Sequence, residues 1–128
     1  MASKKKAFTL EYVIKSSPHI LYDFISTPAG LALWFADKVD INREHHWLFE
    51  WNGSEEEAEL IEAHEPVFVK FRWTYHTKEE YFELRIKTSE VARDTILCIT
   101  DFAEPNELKD QTLLWDSTIK ELKHHIGS

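Results

Sequence analysis

The strongest pattern of apolar and polar positions lies near the end of the chain, from about residue 105 to residue 126. One set of positions recurs there at alternating steps of four and three residues: Leu108, Thr112, Trp115, Ile119, Leu122 and Ile126. This spacing places the set in one stripe along an α-helix. Because charged residues such as Asp116, Lys120 and Lys123 occupy the other sides, we expect the helix to lay its stripe against an apolar surface.

Most of the preceding sequence alternates between apolar and polar residues with a period of two, which is typical of strands with one face on a core. This pattern predicts strands at residues 8–14, 38–41, 47–51, 56–64, 67–75, 82–86 and 93–102. After the first strand, Ser17-Pro18 and Thr27-Pro28 each supply a capping hydroxyl and then a proline suited to the first helical turn. Two short helices are therefore predicted. Ile20, Leu21, Phe24 and Ile25 form the apolar face of the first.

Several local signals refine the predicted sheet. Asn52-Gly53 favours a type I′ hairpin, because that turn needs positive φ at both central residues, and a further turn is expected near Thr77-Lys78. The last strand is apolar on both sides, which indicates an interior position in the sheet. For residues 56–64 the pattern leaves two alternatives open. Either Ala58 and Leu60 or Ile61 and Ala63 face the core.

Together these elements predict an α+β fold with a curved antiparallel sheet of seven strands. Two short helices follow the first strand, and the sheet wraps around the long C-terminal helix. No repeat or linker divides the sequence, so we expect residues 1–128 to form a single domain, with residues 1–6 as a flexible basic N-terminus.

Five segments in this order resemble a known family: Ser17-Pro18, the run from Thr27 to Phe35, Phe49-Glu50-Trp51, Phe71-Arg72-Trp73 and Thr100-Asp101-Phe102. The sequence resembles the START-like (SRPBCC) superfamily, and within it the branch related to activators of a heat-shock chaperone ATPase, found in small bacterial single-domain proteins. The resemblance implies a helix-grip fold, often with an apolar cavity between helix and sheet. Its members bind lipids, sterols, polyketides, hormones or other hydrophobic molecules, and a few are cyclases or hydroxylase components. Asp101 stands where many relatives of the chaperone-activator branch have histidine, so no role of that imidazole carries over.

Composition and charge restrict the classes of partner that the protein is expected to bind. The formal net charge is −8, which disfavours nucleic acids and anionic membranes because both are bound through clusters of Lys and Arg. The single cysteine allows no internal disulfide, and no apolar run follows Lys4, Lys5 and Lys6. We therefore expect a cytoplasmic protein without a membrane span.

The candidate ligand site consists mainly of large side chains predicted to point inward. It comprises Tyr12, Trp34, Phe49, Trp51, Phe71, Trp73, Phe82, Leu97, Asp101 and Trp115. Ligand sites are mostly apolar with a few orienting polar groups, although rings of this size can equally fill a solid core. Asp101 shares the strand parity of Leu97 and points toward the cavity end. Alternatively, Asp101 lies at an exposed strand end or assists the start of the long helix.

The sequence predicts neither catalytic residues nor a metal or cofactor. The spacings of the seven histidines match no metal-ligand pattern, and Cys98 lies in an apolar strand, which favours a buried thiol with a raised pKa. The acidic run around Glu55, Glu56 and Glu57 is interpreted as a solvated strand face.

The predicted function is to bind a small hydrophobic molecule, lipid-like or aromatic, as a carrier or sensor. A second hypothesis is an interaction module with a filled core and no ligand, which would form a homodimer or bind a chaperone-type partner. Its candidate surfaces are Leu113 and Leu114 on the helix and Ile96, Cys98 and Phe102 on the outer face of the sheet. A third hypothesis is an enzyme that uses Asp101 or Tyr12 as an acid or base.

Overall fold

A seven-stranded antiparallel sheet is the frame of the molecule, which a computed structural model describes over residues 5–75 and 79–128. Its strands are β1 (Lys6–Ile14), β2 (Lys38–Ile41), β3 (Trp47–Trp51), β4 (Ser54–His64), β5 (Phe68–Trp73), β6 (Phe82–Thr88) and β7 (Thr95–Ala103). They lie in the order β1-β7-β6-β5-β4-β3-β2, so β2 to β7 form a meander and β1 pairs with β7. The predicted fold class and the interior position of the last strand are confirmed.

Two short helices, α1 (Pro18–Ser26) and α2 (Pro28–Trp34), connect β1 to β2. The Ser17 hydroxyl accepts a hydrogen bond from the Ile20 N–H at 3.2 Å, and the Thr27 hydroxyl accepts one from the Gly30 N–H at 2.9 Å. Both predicted caps are confirmed.

Helices α1 and α2 lie close together at Gly30, which is buried. A Cβ atom at this position would overlap the carbonyl oxygen of Asp23 and would lie 2.8 Å from the Cα atom of Phe24. Both are backbone atoms of α1, which cannot rotate away as a side chain could. Only glycine therefore fits where the two helices turn against each other.

The hairpin between β3 and β4 forms as predicted. Asn52 and Gly53 have φ values of 50° and 84°, as a type I′ turn requires. Further along β4, Ala58 is fully buried, and a β-bulge lies between Leu60 and Glu62. Neither of the two alternatives for this strand holds over its whole length. Ala58, before the bulge, faces the core, whereas Leu60 and Ile61 are both partly exposed.

The long helix α3 (Leu108–Ile126) packs the middle of its stripe into the core. Trp115, Ile119 and Leu122 are buried, whereas Leu108 at the N-terminal end is 41% exposed. The inward-facing rings of Phe49, Phe71 and Phe82 are almost completely buried in the same core. The gripped helix is therefore confirmed, with its first turn lying outside the grip.

A few predicted details are wrong. Ile20 is 52% exposed because α1 packs through Leu21, Tyr22 and Ile25 instead. The last strand begins at Thr95 rather than at residue 93. At the other end of the chain β1 starts at Lys6, inside the segment expected to be flexible. The predicted turn near Thr77-Lys78 lies outside the described residues.

Within the described ranges, no helix has the length and apolar character needed to cross a membrane.

Candidate ligand-binding cleft

A cleft opens between the first half of α3 and the ends of β5 and β7, next to the β3–β4 hairpin. Its volume is ≈ 510 Å³, which lies within the range of roughly 300–1,000 Å³ typical of small-molecule sites. Gln111, Leu114 and Thr118 line it from the helix, and Asn52 and Ala103 line it from the hairpin and from β7. The cleft therefore lies at one end of the gripped helix, next to the packed core.

Six aromatic residues contribute to the cleft lining: Phe35, Trp51, Trp73, Tyr75, Phe102 and Trp115. Neighbouring rings contact each other. The Phe35 centroid lies 5.4 Å from that of Trp51 and 5.7 Å from that of Trp115, and Trp73 lies 6.0 Å from Trp51 and 6.3 Å from Tyr75. Such pairs stabilise one another beyond their simple burial. The result is a nearly continuous aromatic lining.

Hydrogen bonds from two indoles join the elements at the α2 side of the cleft. The indole N–H of Trp51 donates to the carbonyl oxygen of Phe35 at 2.7 Å, which links β3 to the end of α2. The indole N–H of Trp34 donates to the carbonyl oxygen of Phe24 at 2.8 Å and so links α2 to α1. A backbone acceptor therefore fixes the indole of Trp51 at the cleft surface.

Asp101 is a half-buried carboxylate in the cleft lining. One of its oxygens accepts the indole N–H of Trp115 at 3.0 Å, and the other accepts the backbone N–H of Phe102 at 2.8 Å. Burial raises the pKa of Asp101, while these two hydrogen bonds and the charge of Lys5 act in the opposite direction. Both oxygens keep further acceptor capacity. The alternative that Asp101 assists the start of α3 is wrong, since the N-cap residue of α3 is Glu107 and no side chain makes a cap hydrogen bond there.

Acidic groups predominate in the cleft lining. Glu56, Asp101 and Glu107 contribute carboxylates, and Lys5 contributes an ammonium group whose nitrogen lies 3.7 Å from a carboxylate oxygen of Glu80. The Tyr75 hydroxyl donates to Glu56 at 3.2 Å. Burial, the charge and hydrogen bond of Glu56, and the charge of Asp101 together raise the pKa of Tyr75 to about 12.

Four of the predicted site residues lie together in this cleft: Trp51, Trp73, Asp101 and Trp115. Phe49, Phe71, Phe82 and Leu97 lie in the packed core instead, each at most 2% exposed. The reason is that rings on neighbouring strands contact each other, with Phe71 and Phe82 stacked at 5.1 Å. Trp34 is likewise buried and does not line the cleft.

Tyr12 lies away from the cleft, at the side of α3 that faces β1. Its hydroxyl donates to a carboxylate oxygen of Asp116 at 2.6 Å, and burial followed by this hydrogen bond raises the pKa of Tyr12. A second hollow of ≈ 400 Å³ opens there, lined by both residues together with Leu113 and Lys120. Asp116, which the sequence placed simply on the polar side of the helix, therefore joins α3 to β1.

The sequence interpretation did not assign Phe35, Tyr75 or the helix residues around Gln111 to the site. Tyr75 shares the strand parity of Phe71 and Trp73, so its position was available from the pattern. Phe35 follows the last residue of α2, and nothing in a helical pattern indicates that its ring bridges β3 and α3.

One surface cluster has the composition of a metal site. Ligand atoms of Glu44, His46 and Glu57 lie within 4.8 Å of one another. Nδ1 of His46 contacts the carboxylate of Glu57, and that hydrogen bond is the main cause of the raised pKa of His46. The arrangement therefore favours a protonated imidazole paired with carboxylates over an imidazole free to bind a metal.

The interaction hypothesis requires an apolar contact surface on the outer face of the sheet, but this face carries charged residues. Cys98 is only 5% exposed, and its burial raises the pKa of its thiol. On the same face, Lys87 lies 3.6 Å from Glu11 and Arg85 lies 3.1 Å from Glu83. The thiol is therefore covered, as its apolar strand predicted, and it offers no contact surface.

Comparison with known proteins extends these findings. Residues 1–128 match the family model of the START-like superfamily domain. A solution structure of a protein from Bacteroides fragilis is 35% identical in sequence, with 96% of this chain and 92% of that chain covered and a TM-score of 0.66.

Two other solved structures share the fold at lower identity. The Aha1 dimer from Colwellia psychrerythraea is 16% identical with a TM-score of 0.75, covering 94% of this chain and 96% of that one. A Bacillus halodurans protein is also 16% identical, with a TM-score of 0.72 and the same coverage of both chains. No curated protein matches the sequence.

Proposed function

Because the chain belongs to the START-like superfamily, we propose that it binds a small hydrophobic molecule in the aromatic cleft, as a carrier or sensor. The observation that supports this most is the cleft itself, whose ≈ 510 Å³ are bounded by six aromatic residues and a small number of polar side chains. Apolar surface with a few polar groups is what ligand recognition requires. The proposal needs no covalent chemistry.

The positions of Trp51 and Trp73 favour an aromatic or flat ligand. Both indoles are half-buried at the cleft surface, so a ligand that covers them would remove apolar area from water at roughly 25 cal/mol per Å². The rings are held by the contacts described above, and a rigid surface lowers the entropic cost of binding. Binding would also change the environment of both indoles, which provides an optical signal.

The proposal predicts that a ligand stabilises the protein against heat. At about 100 times its dissociation constant, a ligand that binds only the folded state adds about 2.7 kcal/mol, which for a chain of this length corresponds to a rise in Tm of roughly 10 °C. We expect at least one compound among fatty acids, sterols, isoprenoids, flavonoids and indoles to give such a rise. Differential scanning fluorimetry with Trp emission as the signal measures it.

A pair of substitutions then assigns the binding to the cleft. Gln111→Trp places a large ring in the cleft from α3 and is expected to abolish the ligand-induced rise. Lys109→Trp adds the same ring at an exposed position outside the cleft lining and should leave the rise unchanged. If no compound shifts the native melt, or if Gln111→Trp still binds as the native protein does, the cleft is not the ligand site.

A second proposal, formation of a homodimer through α3, rests on two exposed leucines. Leu113 and Leu114 are 55% and 60% exposed on the helix surface, and pairing such residues across a two-fold interface would bury them. The Colwellia psychrerythraea structure of similar fold is a dimer. In a dimer of this kind Leu114 would also bring the interface to the mouth of the cleft.

Leu113→Lys is expected to convert a dimer of this kind to monomer without loss of the fold, because a charge at the interface has to be desolvated on association. Val91→Lys introduces the same charge at a residue that is 98% exposed and far along the chain from α3, and it should leave the mass unchanged. Sedimentation or light scattering after size exclusion gives the mass. A native protein that remains monomeric at high concentration removes the dimer proposal.

A further inference from the structure

The charge of the cleft restricts what its ligand can be. Among the described residues that line it, Glu56, Asp101 and Glu107 are acidic and Lys5 is basic. The ammonium group of Lys5 is already within 3.7 Å of Glu80, a carboxylate outside the lining. The described lining therefore presents an excess of negative charge to any molecule that enters. A ligand with its own carboxylate would be repelled.

Two of these carboxylates, Glu56 and Asp101, lie on the same cleft. Glu56 accepts the hydroxyl of Tyr75 at 3.2 Å, and the charges of both Glu56 and Asp101 contribute to the raised pKa of that hydroxyl. Glu56 and Asp101 line the same cleft from different strands, β4 and β7. Tyr75 is 63% exposed, which leaves this part of the cleft open to a ligand.

Aromatic faces next to the acids suit a cation. Trp73 stacks with Tyr75 at 6.3 Å and meets Trp51 at 6.0 Å. Ammonium groups are attracted to the faces of Trp and Tyr rings, and more strongly where water is excluded. A positive charge within about 4–6 Å would also favour the ionised form of the half-buried Asp101, whose pKa burial raises.

Building on the binding function proposed above, we propose that the ligand is a hydrophobic or aromatic molecule bearing one positive charge, an amine or quaternary ammonium. The charge lies between Glu56 and Asp101 against the rings of Trp73 and Tyr75, and the apolar body lies along Trp51 and Phe35. Fatty acids and other anionic lipids are excluded by the same arrangement.

Three probes with one ring system and different charges test the ligand class. Tryptamine carries an ammonium group, tryptophol a neutral hydroxyl and indole-3-acetate a carboxylate. Isothermal titration calorimetry measures each affinity, and amide shifts in NMR spectra locate each probe. We expect tryptamine to bind at least tenfold more tightly than tryptophol and indole-3-acetate to bind most weakly, with shifts at Tyr75 and Asp101.

Matched variants test the two acids. Glu56→Gln keeps an acceptor for Tyr75, and Asp101→Asn keeps the size of the side chain. Each variant should bind tryptamine about tenfold more weakly than the native protein does, while its affinity for tryptophol should stay within twofold of the native value. Glu59→Gln is the control, because it removes the same charge from β4 at an exposed position outside the cleft lining. An equal loss in Glu59→Gln would mean that the overall charge of the protein, and not the cleft, selects the cation.

The outcomes separate this inference from the function it builds on. If tryptophol or indole-3-acetate binds as tightly as tryptamine in the cleft, the inference of a cationic ligand is wrong and the binding function stands. The same holds if a neutral or anionic lipid from the screen is the tightest ligand. If neither the three probes nor any compound in the screen binds, both proposals fail.

Discussion

Replacing Trp115 by alanine is expected to lower the free energy of unfolding by about 3–5 kcal/mol, the usual cost of removing a buried Trp. Trp115 is only 7% exposed, lies mid-stripe on α3 and stacks on Phe35. Its indole also donates a hydrogen bond to Asp101, so its removal leaves a half-buried carboxylate with one donor fewer. Urea unfolding followed by circular dichroism measures the loss.

Trp115→Phe separates the two contributions. It keeps a ring in the core and removes the N–H donor, so a loss of about 1–3 kcal/mol is expected. Ser117→Ala, at an exposed position two residues along the same helix, should stay within about 0.5 kcal/mol of the native protein. If Trp115→Ala and Ser117→Ala unfold at the same urea concentration, α3 is not held by the sheet as described.

Gly30→Ala is expected to destabilise the protein by about 3 kcal/mol, at the upper end of overpacking costs. The added Cβ would overlap the carbonyl oxygen of Asp23 and would come within 2.8 Å of the Cα atom of Phe24 and the hydroxyl oxygen of Thr27. In an unobstructed helix the same change stabilises by up to about 1 kcal/mol. The sign of the change in stability therefore tells whether Gly30 is packed as closely as described, and thermal unfolding measures it.

The neighbouring exposed residue provides the control for Gly30. Ala29→Ser lies in the same turn of α2 and faces solvent, so it is expected to change stability by no more than about 0.5 kcal/mol. A neutral or stabilising Gly30→Ala would show that α1 and α2 are further apart than the contacts at Gly30 require.

The fold could be predicted because its signals are local. Alternation with a period of two identifies strands, and the hydroxyl-proline pairs at Ser17 and Thr27 mark the helix starts. Asn52-Gly53 sets the register of β3 against β4 through a single turn type. The bulge after Leu60 escaped prediction because the adjacent apolar residues Leu60 and Ile61 left the strand parity undecided, and the pairing with β5 shifts there.

The site was predicted only in part, because strand parity tells which rings point inward but not what they meet. Phe71 and Phe82 lie directly opposite each other on β5 and β6, so they fill space together. Trp73 follows on the same face at the end of β5, where the described part of the sheet opens onto the cleft. The difference between Phe71 and Trp73 depends on where neighbouring strands begin and end, which is a non-local property.

The pairing of β1 with β7 also sets the order in which the sheet can be completed. Every other ladder in the described sheet joins strands that follow each other in the sequence, whereas Phe8 lies opposite Asp101. Closing a loop of this length costs more chain entropy than any of the hairpins. During synthesis β1 has no native neighbour in this sheet until β7 has been made. The polar residues Thr9 and Glu11, which alternate with its apolar ones, keep it from being a continuous apolar segment during that interval.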